Sequence, residues 1–183
     1  MFWLSKQRLP RKAGMAASLG TAVHASVEDL LQEDYSQIGN SEDGWLPTEG
    51  LRLLKNRWEE EKAVFHATPR RPQWKDEKWK EAIKHQKGAI RMLLDHVGIN
   101  GLDQEKITGA LWRKIQSMAI AVEGELKTEN GKLMGRLDLL MADVDSSGKM
   151  VGWLVADLKT GKAPKDELKT EVNRQLRLYR DII

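Results

Sequence analysis

The chain contains no cysteine. Disulfides, thiolate-bound zinc and cysteine-ligated iron–sulfur clusters are therefore excluded. No apolar run approaches the roughly 18 residues that span a bilayer, and no segment repeats along the chain. Charge of one sign is scarce too. The formal net charge of +3 is compatible with a polyanionic partner without arguing for one. Only two Tyr and two Phe stand beside seven Trp, so most of the Trp are expected to serve in packing. The opening MFWLSKQRLPRKAG runs from apolar to basic, the reverse of a secretory leader. These absences predict an intracellular, cytoplasmic, soluble protein with no membrane partner. A length of 183 residues suits one domain, 1–183, with a sizeable core. Oligomeric state leaves no mark in the sequence.

Hydrophobic period divides what is present into three zones. Residues 18–34 place Val23, Val27, Leu30 and Leu31 at helical spacing, with Ser18 or Thr21 as the expected cap. A polar loop follows. Residues 48–118 are read as a helical insert of three helices, over 48–67, 74–98 and 103–118. Two prolines in ATPRRPQ break it, and Gly98 stops the second helix. Over 119–162 the period falls to two, predicting three strands joined by two tight turns. A last helix is expected over 166–182.

Strand register then gathers the acids. Asn130-Gly131 is a strong signal for a two-residue hairpin. That hairpin sets Glu123 directly across from Asp138, a like-charge pair that destabilises a sheet unless something compensates. The second turn lies in DVDSSGKM. A two-residue loop would make Asp138 face Asp157, and a four-residue loop would make them diagonal neighbours. A three-residue loop would send them to opposite faces. Lys159, two residues after Asp157, shares its face. Two readings stay open here. One is a solvated ladder of Glu, Asp and Lys. The other is a site for a hard divalent cation, Mg²⁺ or Mn²⁺, with a lysine beside it.

The helices supply further candidates, each with a plain structural alternative. His24 shares a stripe with Val27 and Leu31, as a ligand or as a core histidine. Gln175 and Tyr179 stand four apart on the inward stripe of the last helix. The other histidines, His66, His85 and His96, are expected at the surface. Arg70, Arg71 and Lys75, with Lys78, Lys84, Lys87 and Arg91, interleave with Trp74 and Trp79. They read either as a phosphate-gripping patch or as a solvated face with two core Trp.

Four short motifs in order, GTAVH (20–24), GRLD (135–138), DLKTGK (157–162) and QLRLY (175–179), resemble the RecB-like branch of the PD-(D/E)XK nuclease superfamily. The resemblance implies an α/β, restriction-endonuclease-like core. Its three-stranded antiparallel meander would sit in a small mixed sheet flanked by helices, with a helical insert. It implies hydrolysis of DNA phosphodiester bonds with Mg²⁺ or Mn²⁺, as an exonuclease more than an endonuclease, on single strands or duplex ends. The setting would be recombination, repair or replication, with room for a helicase or recombinase partner. Metal ligands would be His24, Asp138, Asp157 and the backbone carbonyl of Leu158. Glu123 is a further ligand, in competition with Glu125. Lys159 would activate water, and Gln175 and Tyr179 would organise the site and touch the nucleic acid. The family's iron–sulfur variants are excluded by the missing cysteines. The same fold without turnover, a nucleic-acid-binding module, is the alternative.

Overall fold

The computed structural model describes residues 14–38, 44–69, 72–99, 101–127, 134–145, 147, 149–156 and 158. Among these residues, four α-helices precede a three-stranded antiparallel sheet. They are α1 (Met15–Gln32), α2 (Trp45–Ala67), α3 (Trp79–His96) and α4 (Gly109–Met118). The strands are β1 (Ala119–Lys127), β2 (Met134–Val144) and β3 (Met150–Ala156), in the order β1-β2-β3. The turn at Asn130-Gly131 and the expected helix 166–182 lie outside the described residues. Among those described, no helix is long and apolar enough to cross a membrane.

Helix boundaries depart from the expected ones for local reasons. Strong helix formers ahead of Ser18 carry α1 back to Gly14, which caps it without a side chain. Ser18 is buried, and Thr21 Oγ1 donates to the carbonyl of Ala17, so neither is a cap. Helix α2 begins at Trp45 rather than Thr48, because Pro47 falls in the first turn, where amides lack intrahelical acceptors. The expected starts of the next two helices are 3₁₀ turns, Asp76–Lys78 and Gln104–Lys106. Thr108 caps α4 by accepting from the amide of Leu111.

Helix α3 stops where Gly98 takes φ +77, a conformation that favours glycine. Two backbone bonds close the end, Ile99 N–H to Leu94 O and Gly98 N–H to Asp95 O. Arg91 holds the following loop by donating to the carbonyls of Ile99 and Leu102.

One large buried cluster joins all four helices to one face of the sheet. It includes Leu30, Leu46, Ile90, Trp112, Leu139 and Met141. A second joins the start of α1 to α2 and α3 around Leu19, Leu54, Trp58 and Phe65. The segment expected as an insert thus builds the same core as α1. Trp45, Trp58, Trp74 and Trp112 are buried, as packing residues should be, while Trp153 is exposed. Gln86 is buried on α3 and ties three helices together. Its amide donates to Ser26 Oγ on α1 at 3.0 Å and to Gly50 O on α2 at 2.7 Å.

Helix α4 fixes α1 relative to the sheet. The last carbonyls of a helix have no intrahelical donor. Those of α1 are met by Trp112 Nε1 (to Leu30 O, 2.9 Å) and Gln116 Nε2 (to Leu31 O, 3.1 Å, and Glu33 O, 2.8 Å). Strand β1 follows α4 directly, so this stitch sets where β1 runs beneath α1.

Candidate metal centre

The β1–β2 ladder has the expected register. The pairs Val122–Leu139 and Gly124–Leu137 leave Glu123 across from Asp138. Glu125 pairs with Arg136 and is exposed. At Glu123 the backbone takes φ +51, the one positive φ on a described residue other than glycine. Left-handed backbone costs a side-chain-bearing residue about 1–2 kcal/mol. The consequence is a break in strand alternation. A Cβ at Gly124 would lie 3.2 Å from that of Ala121, three residues back, so these two share a face. Val122 and Glu123, although adjacent, both line the cleft beneath α1.

There the two acids meet His24. Its Nδ1 lies 3.4 Å from Asp138 Oδ2 and 3.9 Å from Glu123 Oε1. One donor atom from each of the three falls within 4.8 Å of the others. All three side chains are about a fifth exposed, sheltered yet reachable from solvent. Asp138 is held from a third side, since the amide of Leu158 donates to its Oδ2 at 2.6 Å. That bond draws the end of β3 against β2.

The donor set fits a hard divalent ion. Ligands about 2.1 Å from an octahedral ion stand roughly 3 Å apart when adjacent, near the separations seen here. Two carboxylates and one imidazole suit Mn²⁺ or Mg²⁺ better than a soft metal. The cleft continues past the trio, walled by Val27 and Leu31 of α1 and by Ala89, Met92 and Leu93 of α3, with Leu139, Ala156 and Leu158 on the sheet side. A second, more open depression shares His24, Glu28 and Glu123 and adds Gly20, Thr21 and Ala25 of α1.

Of the residues expected at a site, the structure brings together His24, Glu123, Asp138 and Leu158. For Leu158 the contact seen is its amide. Asp157, Lys159, Gln175, Tyr179, Arg70 and Arg71 lie outside the described residues. Lys75 is exposed and does not line the cleft.

The basic stretch divides. Trp74 is buried against Trp58 and Phe65. Arg91 is engaged by loop carbonyls and by Asp95, and Lys78 by Glu81. None of these three is a simple phosphate contact. His85 and His96 are half-buried rather than at the surface, and Nε2 of His96 is fully enclosed. Glu28 was not foreseen as a cleft residue, although its spacing of four from His24 was a usable signal. The α3 wall had no sequence signal, because it depends on how α3 packs.

The described part of the β2–β3 ladder ends at Ala156, one residue short of Asp157. Asp145 N–H bonds Lys149 O, and Val144 pairs with Met150, a closure of odd length. Asp143 then pairs with Gly152, so Val151 is an extra, bulged residue. Beyond it the ladder runs in the even register, with Leu140 opposite Val155 and Leu139 opposite Ala156.

Comparison with known proteins is consistent with this geometry. Neither the curated proteins nor the solved structures include a match. The model of one family does match, over residues 2–183. Four helices over an antiparallel meander agree with the restriction-endonuclease-like fold of that family, whose members are typically nucleases that use divalent metals. The chain belongs to the PD-(D/E)XK nuclease superfamily.

Proposed function

We propose that this protein is a Mg²⁺- or Mn²⁺-dependent deoxyribonuclease of the RecB-like branch, acting from DNA ends. The observation that carries the reading is the convergence of His24, Glu123 and Asp138 on one cleft. The motif order supports the branch, since GTAVH, GRLD, DLKTGK and QLRLY follow one another as they do there.

In this reading His24, Glu123 and Asp138 hold the ion, joined by Asp157 and the carbonyl of Leu158. A bound divalent cation polarises the scissile phosphate and activates water. The Leu158 amide keeps the Asp138 carboxylate aimed at the cleft. Lys159 orients the nucleophile or balances charge on the phosphate. Gln175 and Tyr179 steady the strand. Residues 1–183 act as one nuclease domain, in recombination, repair or replication, with a helicase or recombinase as the kind of partner that would deliver ends.

The test is incubation with end-labelled linear DNA and closed circular DNA, each with Mg²⁺, Mn²⁺ or chelator. Linear DNA should shorten only with metal, and circles should persist. Cutting of circles would overturn the end-dependent part. Metal-dependent binding with no cutting of either would replace the enzyme by a binding module.

A further inference from the structure

The cleft is lined by one carboxylate that the trio does not use. Glu28 stands one turn beyond His24 on α1, half-buried, and lines both the cleft and the open depression beside it. It is outside the set of donor atoms that lie within 4.8 Å of one another. Gln32, a further turn along, steadies it by donating to its Oε1 at 3.3 Å. The two hollows differ in size. The depression offers about 440 Å³ and is open. The cleft offers about 30 Å³. A water needs roughly 10–15 Å³ of such space and about two to four polar partners. The cleft therefore has room for about two waters and for nothing larger. Val27, Leu31, Ala89 and Leu93 wall its other part and offer no polar side chain. A water held there is confined to the end lined by Glu28 and the trio.

Resting on the proposed function, we infer that Glu28 is a positioning residue, which holds the attacking water against the ion from the enclosed side. A carboxylate accepts hydrogen bonds and donates none, and a water on a hard divalent ion has both protons to give. Mg²⁺ keeps several of its waters, and groups beyond the direct ligands orient what the ion holds. Glu28, beside the trio but outside it, suits that task. The open depression is left to the phosphate, because the cleft is too small to admit one. Substrate and water then reach the ion from different sides. In hydrolysis the oxygen of the held water bonds to phosphorus and the bond to the leaving oxygen breaks. One water proton passes through solvent to that leaving oxygen, and the other stays on the new phosphate end. Glu28 orients the water throughout and needs only an accepting oxygen to do so.

The test compares the wild type with Glu28→Ala and Glu28→Gln, by calorimetry of Mn²⁺ binding and by steady-state cutting of a labelled strand. Alanine is the best helix former, so Glu28→Ala should fold, with its melting temperature without metal as the check. It should bind Mn²⁺ about tenfold more weakly and, at saturating Mn²⁺, lose about tenfold in kcat with KM unchanged. Glu28→Gln keeps an accepting oxygen and should stay within about threefold of the wild type on both counts. Unchanged Mn²⁺ affinity in Glu28→Ala overturns the inference. So does Glu28→Gln falling as far as Glu28→Ala, because charge or direct ligation would then be what matters. Should Glu28→Ala not fold, a loss beyond about tenfold in Glu28→Gln overturns it alone, and a loss within about threefold upholds it. Weaker Mn²⁺ binding by Glu28→Ala, where the wild type cuts no strand, supports the water site and sinks the nuclease reading. Metal-dependent cutting at full kcat by Glu28→Ala does the reverse.

Discussion

Glu123 illustrates how one residue can be unfavourable for folding and useful for function. Its left-handed backbone is a local cost, and its carboxylate stands across from Asp138. Strain of this kind persists where the surroundings over-determine it. Replacing Glu123 with Gly relieves the φ penalty and the like-charge pair together. Glu123→Gly should be at least as stable as the wild type to urea, by up to ~1 kcal/mol, and should bind Mn²⁺ about tenfold more weakly by calorimetry. Tyr35 gives a second residue-scale test. Its hydroxyl is buried without a hydrogen-bond partner, and burial raises its pKa well above the usual 10. The folded state therefore keeps this proton where the unfolded chain loses it. The stability is fully present below about pH 10 and drains away as pH rises beyond that. Tyr35→Phe should flatten that alkaline loss relative to the wild type in urea melts at pH 8 and 10.5. It should also cost little at pH 8, because the lost hydroxyl made no bond.

Among the elements, α4 has the most consequence for the site, since it ties the end of α1 to the start of β1. Gly109 opens it where a Cβ would lie 2.8 Å from the backbone oxygen of Ile38. That neighbour is backbone and cannot swing aside. Gly109→Ala should destabilise the fold by about 1–3 kcal/mol in urea denaturation. It should weaken metal binding as well, because α1 and β1 lose their common anchor. Gln86→Leu tests the opposite case, a tie remote from the acids. It strips the buried carbonyl of Gly50 of a donor and should cost about 1–3 kcal/mol while leaving Mn²⁺ affinity within twofold. The helices themselves were readable from period and from Gly98. Their starts were not, because caps and 3₁₀ turns turn on single bonds such as Thr108 with Leu111.

For the whole molecule, the proposed ion is a linkage between two layers. His24 comes from the helices, and Glu123 and Asp138 come from the sheet. An ion that binds the folded state alone stabilises it by about 2.7 kcal/mol at one hundred times its Kd. Mn²⁺ should therefore raise the melting temperature of the wild type by several degrees. Asp138→Ala should abolish both that rise and cleavage of labelled DNA. A melting temperature indifferent to Mn²⁺ in the wild type would leave the trio an ordinary ion-pair cluster.

The meander, the Glu123–Asp138 pairing and the stripe bearing His24 were determined by sequence alone, because period and turn residues are local properties. The one-residue bulge at Val151 was not. Odd and even loops between β2 and β3 are equally compatible with DVDSSGKM, and only the ladder shows where the extra residue is absorbed. The approach of His24 to the acids, the turning of Glu123 into the cleft and the α3 wall were likewise decided by tertiary structure. Each depends on how helices separated by tens of residues pack on the sheet, and no local pattern encodes that distance.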